Sequence, residues 1–140
     1  DVDIERLRER GIETAGKCKQ VRVAFLTGPL IFAATGQFNE AFANLGDTHA
    51  LILSMRGVSL VDTAGLESIH RLYERLHKQG GTLMFAGVHD NARNMMDRGG
   101  LVKIIGEKNF FWSSDQAIVE AERRRCEFCL KEERFDRFKS

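Results

Sequence analysis

An aspartate, a threonine, an alanine and a glycine, Asp62-Thr63-Ala64-Gly65, stand where an apolar run ends and an amphipathic one begins. A carboxylate beside a hydroxyl at such a junction offers three kinds of chemistry. The hydroxyl could attack as a nucleophile, it could accept a phosphate, or one of the two side chains could cap the following helix. Nucleophilic attack needs a base within reach. His49, His70, His77 and His89 are scattered, and no Gly-x-Ser-x-Gly elbow occurs. The chain is therefore not expected to be an enzyme, and no catalytic residue is assigned. Phosphate acceptance suits a helix start, whose unpaired N–H groups and positive dipole end attract anions. Asp62 would crowd a phosphate on Thr63, so its arrival should perturb the surface, as a switch must. Capping needs no partner molecule. Either Asp62 or Thr63 can accept from the early N–H groups of the helix, contributing about 0.5–2 kcal/mol. The cap is the preferred reading.

Other chemistry-bearing residues lead to simpler expectations. Cys18, Cys126 and Cys129 are an odd set without a disulfide framework, which fits a reducing compartment. The pair in "CEFC" has metal-ligand spacing, but a zinc site needs two further ligands and no histidine spacing supplies them. No metal and no cofactor are expected. The double glycine of "GGTLMFAG" is not followed by Lys-Ser/Thr and precedes a strand, so it is no phosphate cradle. Net charge is +1, which predicts no nucleic-acid partner. Met84, Met95 and Met96 read as core filler, and the aromatic "NFFW" at 109–112 as a core lid. Arg123, Arg124 and Arg125 read as a solvated helix end.

The elements that must position Asp62 and Thr63 follow from periodicity. A chain of 140 residues fits one domain. Residues 1–20 form a charged lead-in segment, 21–125 the folded domain, and 126–140 a charged tail. "VRVAFL" alternates and is β-branched, as a strand does. Gly28-Pro29 breaks it, and "LIFAA" returns as a second short strand. Phe38, Phe42 and Leu45 recur on one helical face. "ALILSM" is a strand buried on both faces. Leu66, Ile69, Tyr73 and Leu76 mark an amphipathic helix that stops at Gly80-Gly81. "TLMFAG" is the next buried strand, "DNARNMMDRGG" a helix, "LVKIIG" a short strand, and "SSDQAIVEAERR" a helix capped at Ser113 or Ser114. The order is β-β-α-β-α-β-α-β-α, an α/β fold with a mostly parallel sheet and about four helices against it. Leu51, Ile52, Leu53, Leu83, Met84 and Phe85 should fill adjacent central strands.

These residues resemble a known family. "GPLIFAATGQF", "LILSMRGVSLVDTAGLESIHRLYERLHKQGGTLMFAGV" and "RNMMDRGGLVKIIGEKNFFWSSDQAI", over roughly residues 21–120, are similar to a STAS domain. That fold is shared by anti-sigma factor antagonists and by the cytoplasmic C-terminal region of SulP-type anion transporters. The loop Gly28-Pro29-Leu30 looks like the transporter branch, whereas soluble antagonists usually carry a Gly-Glu-Leu-Asp type turn there. The first residue, Asp1 rather than Met, fits a domain cut from behind a membrane portion. The resemblance implies a regulatory or protein-interaction domain of a transporter for sulfate, bicarbonate or dicarboxylates, on the cytoplasmic side of a bacterial inner membrane. Its implied partners are the membrane portion of the same protein and an unknown cytosolic protein, with a homodimer formed through the parent transporter also compatible. In soluble antagonists the hydroxyl after the aspartate is phosphorylated, and by position that is Thr63. The alternative is a soluble antagonist-like module switched there.

Overall fold

The computed structural model describes residues 20–124 of the chain. All of the lead-in segment but Gln20, the tail and all three cysteines lie outside the described residues. In chain order the elements are β1 (Val21–Thr27), α1 (Phe32–Ala41), β2 (Ala50–Gly57), α2 (Thr63–Lys78), β3 (Thr82–Ala86), α3 (Asp90–Arg98), α4 (Leu101–Ile105), β4 (Phe110–Phe111) and α5 (Ser114–Arg123). A single 3-10 turn, Glu107–Asn109, leads into β4. The four strands lie in the order β1-β2-β3-β4, each parallel to its neighbour. Parallel neighbours cannot be joined by a tight turn, so each connection crosses over through helix.

Strand alternation sorts side chains to two faces. Ala24, Leu51, Leu53, Leu83 and Phe85 point to one side, where Phe38, Phe42, Ile69, Leu72, Leu76 and Met96 of α1, its following loop, α2 and α3 meet them. Val23, Ala50, Ile52, Met84 and Ala86 point to the other, under Ala117, Ile118 and Ala121 of α5. The six residues expected at the centre, Leu51 to Leu53 and Leu83 to Phe85, are each at most 1% exposed, in the paired strands β2 and β3. Burying side chains of this size contributes about 1.5–3 kcal/mol apiece, which fixes the sheet and hence the place where β1 and β2 end.

Two expected strands are helices. "LIFAA" contributes only Leu30 to β structure, as an isolated parallel bridge to Val61, and α1 begins at Phe32. "LVKIIG" is α4: Leu101, Val102 and Ile105 turn inward at helical spacing while Lys103 and Ile104 turn out. Glycines with left-handed backbone, Gly100 at φ +80 and Gly106 at φ +98, bound it. The fourth strand is instead Phe110–Phe111, two residues long. The α/β class and the parallel sheet stand, and the element order within the described residues is β-α-β-α-β-α-α-β-α.

Candidate functional site

Because β1 and β2 are parallel, both deliver their following loops to the same rim of the sheet. There the two loops run side by side. Gly28 N–H donates to Gly57 O at 2.9 Å, Leu30 N–H to Leu60 O at 2.9 Å, and Asp62 N–H to Leu30 O at 3.2 Å. The Gly28-Pro29-Leu30 loop and the Asp62-Thr63-Ala64-Gly65 turn, far apart in sequence, therefore form one structure. Gly28 takes φ +80, open to glycine and strained for other residues. Gly65 is required for a different reason. A Cβ there would lie 2.3 Å from Leu30 O and 3.0 Å from Val61 Cγ1, so a side chain would push the loops apart.

Asp62 is the N-cap of α2, with extended backbone, and its Oδ1 accepts from Gly65 N–H at 2.8 Å. Its other oxygen, Oδ2, accepts from Phe32 N–H at 3.0 Å. Phe32 is the first residue of α1, and the residue at that helix's own cap position, Ile31, provides no side-chain acceptor. One carboxylate thus serves the starts of two helices. The choice left open between Asp62 and Thr63 resolves to Asp62. Thr63, first residue of α2, is exposed and takes no part in the cap; Ala64 is half-buried, Gly65 is buried, and Leu30 is buried between the loops.

Each of the two loops exposes one large hydrophobic side chain: Phe32 is 77% exposed and Leu60 48%. Sequence reasoning misses both, because it reads "LIFAA" as a strand and places Leu60 in the apolar run before Asp62. Beneath Pro29 a groove of about 470 Å³ runs between β1 and α1, past Arg22, Leu30, Phe38 and Phe42. Arg22 donates to Ala41 O at 3.0 Å and Asn44 O at 3.1 Å, closing the C-terminal end of α1. Burial lowers its pKa from the usual arginine value. The histidines weighed as bases have other contacts: His70 meets Glu74 at 3.2 Å, and a His89 ring nitrogen lies 2.5 Å from Arg56 O. Among the described residues no three His, Cys, Asp or Glu come together to hold a metal. At the β4 rim, Phe110 and Phe111 are half-buried while Trp112 is 84% exposed, so the expected aromatic lid covers only in part.

The arrangement joins two loops at one rim, with the Thr63 hydroxyl exposed beside the Asp62 cap. Among the described residues no helix is long and apolar enough to cross a membrane. The STAS domain family model matches residues 11–117. A sulfate transporter family protein from Wolinella succinogenes is similar at 26% identity and TM-score 0.67, over 72% of this chain and 84% of that one. The SulP transporter STAS domain from Vibrio cholerae is similar at 26% identity and TM-score 0.63, over 74% and 82%. The Bacillus cell fate determinant SpoIIAA in its phosphorylated form shares the fold at 17% identity and TM-score 0.59, over 74% and 92%. No curated protein sequence matches the chain. With a parallel sheet ending in this two-loop rim, and a family match across most of its length, the chain belongs to the STAS domain family.

Proposed function

We propose that the chain is the cytoplasmic regulatory and protein-interaction domain of a SulP-family secondary anion transporter. The observation that carries this reading is the 26% identity, over nearly three quarters of the chain, to a sulfate transporter family protein and to the STAS domain of a SulP transporter. The Gly28-Pro29-Leu30 loop, which resembles the transporter branch, lies in the same rim as Asp62 and supports it. On this reading residues 21–125 are the module, residues 1–20 lead in from a membrane portion, and residues 126–140 are a tail. The domain is non-enzymatic and uses neither metal nor cofactor. Its partner, the membrane portion of the same protein or a cytosolic protein, docks on the surface of Phe32, Leu60 and Thr63. The anion is sulfate, bicarbonate or a dicarboxylate.

The test is uptake of each labelled anion by cells expressing the full-length gene, with and without the domain. Uptake that depends on the domain supports the reading. A gene that encodes no hydrophobic segments of about 20 residues upstream overturns it.

A second reading is favoured by one observation, the exposure of Thr63 at the first position of α2. The module is then an antagonist-like signalling domain switched by phosphate on Thr63. Phosphopeptide mass spectrometry of protein from its native cell decides: phosphate on Thr63 supports the switch, and its absence leaves the turn as the Asp62 cap alone.

A further inference from the structure

At the ends of β3 and β4, Gly87, Asp90, Arg93, Phe110 and Trp112 line a hollow of about 340 Å³. The carboxyl ends of parallel strands are where open α/β sheets take ligands, and the volume is that of a small-molecule site. Its walls are held from behind. Phe110 stacks on the buried Phe85 with ring centres 5.2 Å apart, and the Arg93 guanidinium lies 4.3 Å from the Phe110 ring centre. The carboxylate that Arg93 meets, Glu107, is 3.9 Å away and exposed, so this pair is weak and leaves guanidinium donors open. Trp112 is highly exposed, yet its backbone is pinned. Its N–H donates to Gln116 Oε1 at 3.2 Å, and its carbonyl accepts from Arg56 Nη2 at 3.3 Å. Arg56 passes residue 87 to reach it, and a Cβ there would lie 2.4 Å from Arg56 Cγ, so glycine keeps the path open.

Asp90 and Arg93 stand three residues apart on α3, so their side chains rise from one face, with Cβ atoms about 5–6 Å apart. The hollow thus offers one anionic acceptor, one cationic donor set and an aromatic wall. A dicarboxylate would set its second charge against Asp90, and sulfate would leave Trp112 unused. A zwitterion with an apolar body satisfies all three. We propose that this hollow binds a free α-amino acid with an aromatic side chain. Its carboxylate takes paired bonds from Arg93, its ammonium meets Asp90, and its ring lies against Trp112 and Phe110. This site shares no residue with the Phe32, Leu60 and Thr63 surface proposed for docking and does not depend on it.

The experiment is a fluorescence titration of the whole 140-residue chain, in which Trp112 is the only tryptophan and so reports on the hollow itself. L-Phenylalanine is the probe. Phenylacetate lacks its ammonium, phenethylamine lacks its carboxylate, and sulfate and succinate are the plain anions. The expected result is a saturable change with phenylalanine, and binding weaker by about tenfold or more for phenylacetate and for phenethylamine, the size of one lost bond to a charged group. Arg93→Gln should weaken phenylalanine by a similar factor, and Asp90→Asn should remove the advantage of phenylalanine over phenylacetate. The proposal is overturned if phenylalanine gives no saturable change. It is overturned if phenethylamine matches phenylalanine, which is adsorption of a ring alone, or if sulfate or succinate matches it, which is attraction of any anion. An Asp90→Asn protein that still prefers phenylalanine to phenylacetate overturns it as well. The ligand series on wild type carries the first three outcomes, so a variant that fails to fold leaves the test intact.

Discussion

The helix starts at Asp62 and at Phe32 face the same problem and meet it differently. α2 carries its own acceptor at the cap position, three residues before the amide it serves. α1 has Ile31 there and takes its acceptor from Asp62, on the other loop. A self-capped helix can begin forming before the rest of the domain does. A helix capped from elsewhere can keep its first turn only once the two loops have met. The difference teaches that the Gly28-Pro29-Leu30 loop and the Asp62 turn are one cooperative unit, and that perturbing either should be felt by both helices.

The strongest way to break this unit is to force the loops apart. Gly65→Ala places a methyl 2.3 Å from Leu30 O. It should cost about 3 kcal/mol, as overpacking does, even though alanine favours a helix by about 1 kcal/mol over glycine. Urea denaturation measures it, and a neutral result would mean the loops are less tightly joined than described. Next in size is Asp62→Ala, which removes both caps at once and should cost about 2 kcal/mol by the same assay. Ser113→Ala sharpens the comparison from the other side. Ser113 caps only α5, accepting from Gln116 N–H at 3.2 Å, and its loss should cost about 1 kcal/mol, the size of an ordinary cap. Smallest is Thr63→Ala. The residue is exposed and caps nothing, so the variant's unfolding free energy in urea should match wild type to within about 0.5 kcal/mol.

What could be read in the sequence divides along the same line. The strands Ala50–Gly57 and Thr82–Ala86, the helix Thr63–Lys78 and the cap at Ser113 are dictated by neighbours in sequence: apolar runs, helical spacing and a local acceptor. Phe32–Ala41 is not. Its first residues are apolar, its cap position holds an isoleucine, and its acceptor comes from 30 residues away, so a strand was the local reading. Leu101–Ile105 fails for another reason. Five apolar-rich residues between glycines fit a strand or a helical turn alike, and packing of Leu101, Val102 and Ile105 decides it. In the site, Asp62, Thr63 and Gly65 were visible as a strand-to-helix turn. The exposed Phe32 and Leu60 are hidden, since a strand at "LIFAA" and an apolar run before Asp62 both suggest buried side chains. The signal that could have revealed them is the Gly28-Pro29 break, after which a helix beginning without its own cap is an open possibility for "LIFAA".

The most direct test of the shared carboxylate compares Asp62→Asn with wild type in urea denaturation. At an ordinary N-cap asparagine is as good as aspartate, so a carboxylate serving α2 alone would tolerate the change. A carboxylate serving both helices would not, because the amide turns an N–H donor toward one of its two N–H partners. The account predicts a loss of about 1 kcal/mol, midway between wild type and Asp62→Ala. An Asp62→Asn protein as stable as wild type, beside an Asp62→Ala protein that loses no more than Ser113→Ala does, would contradict it.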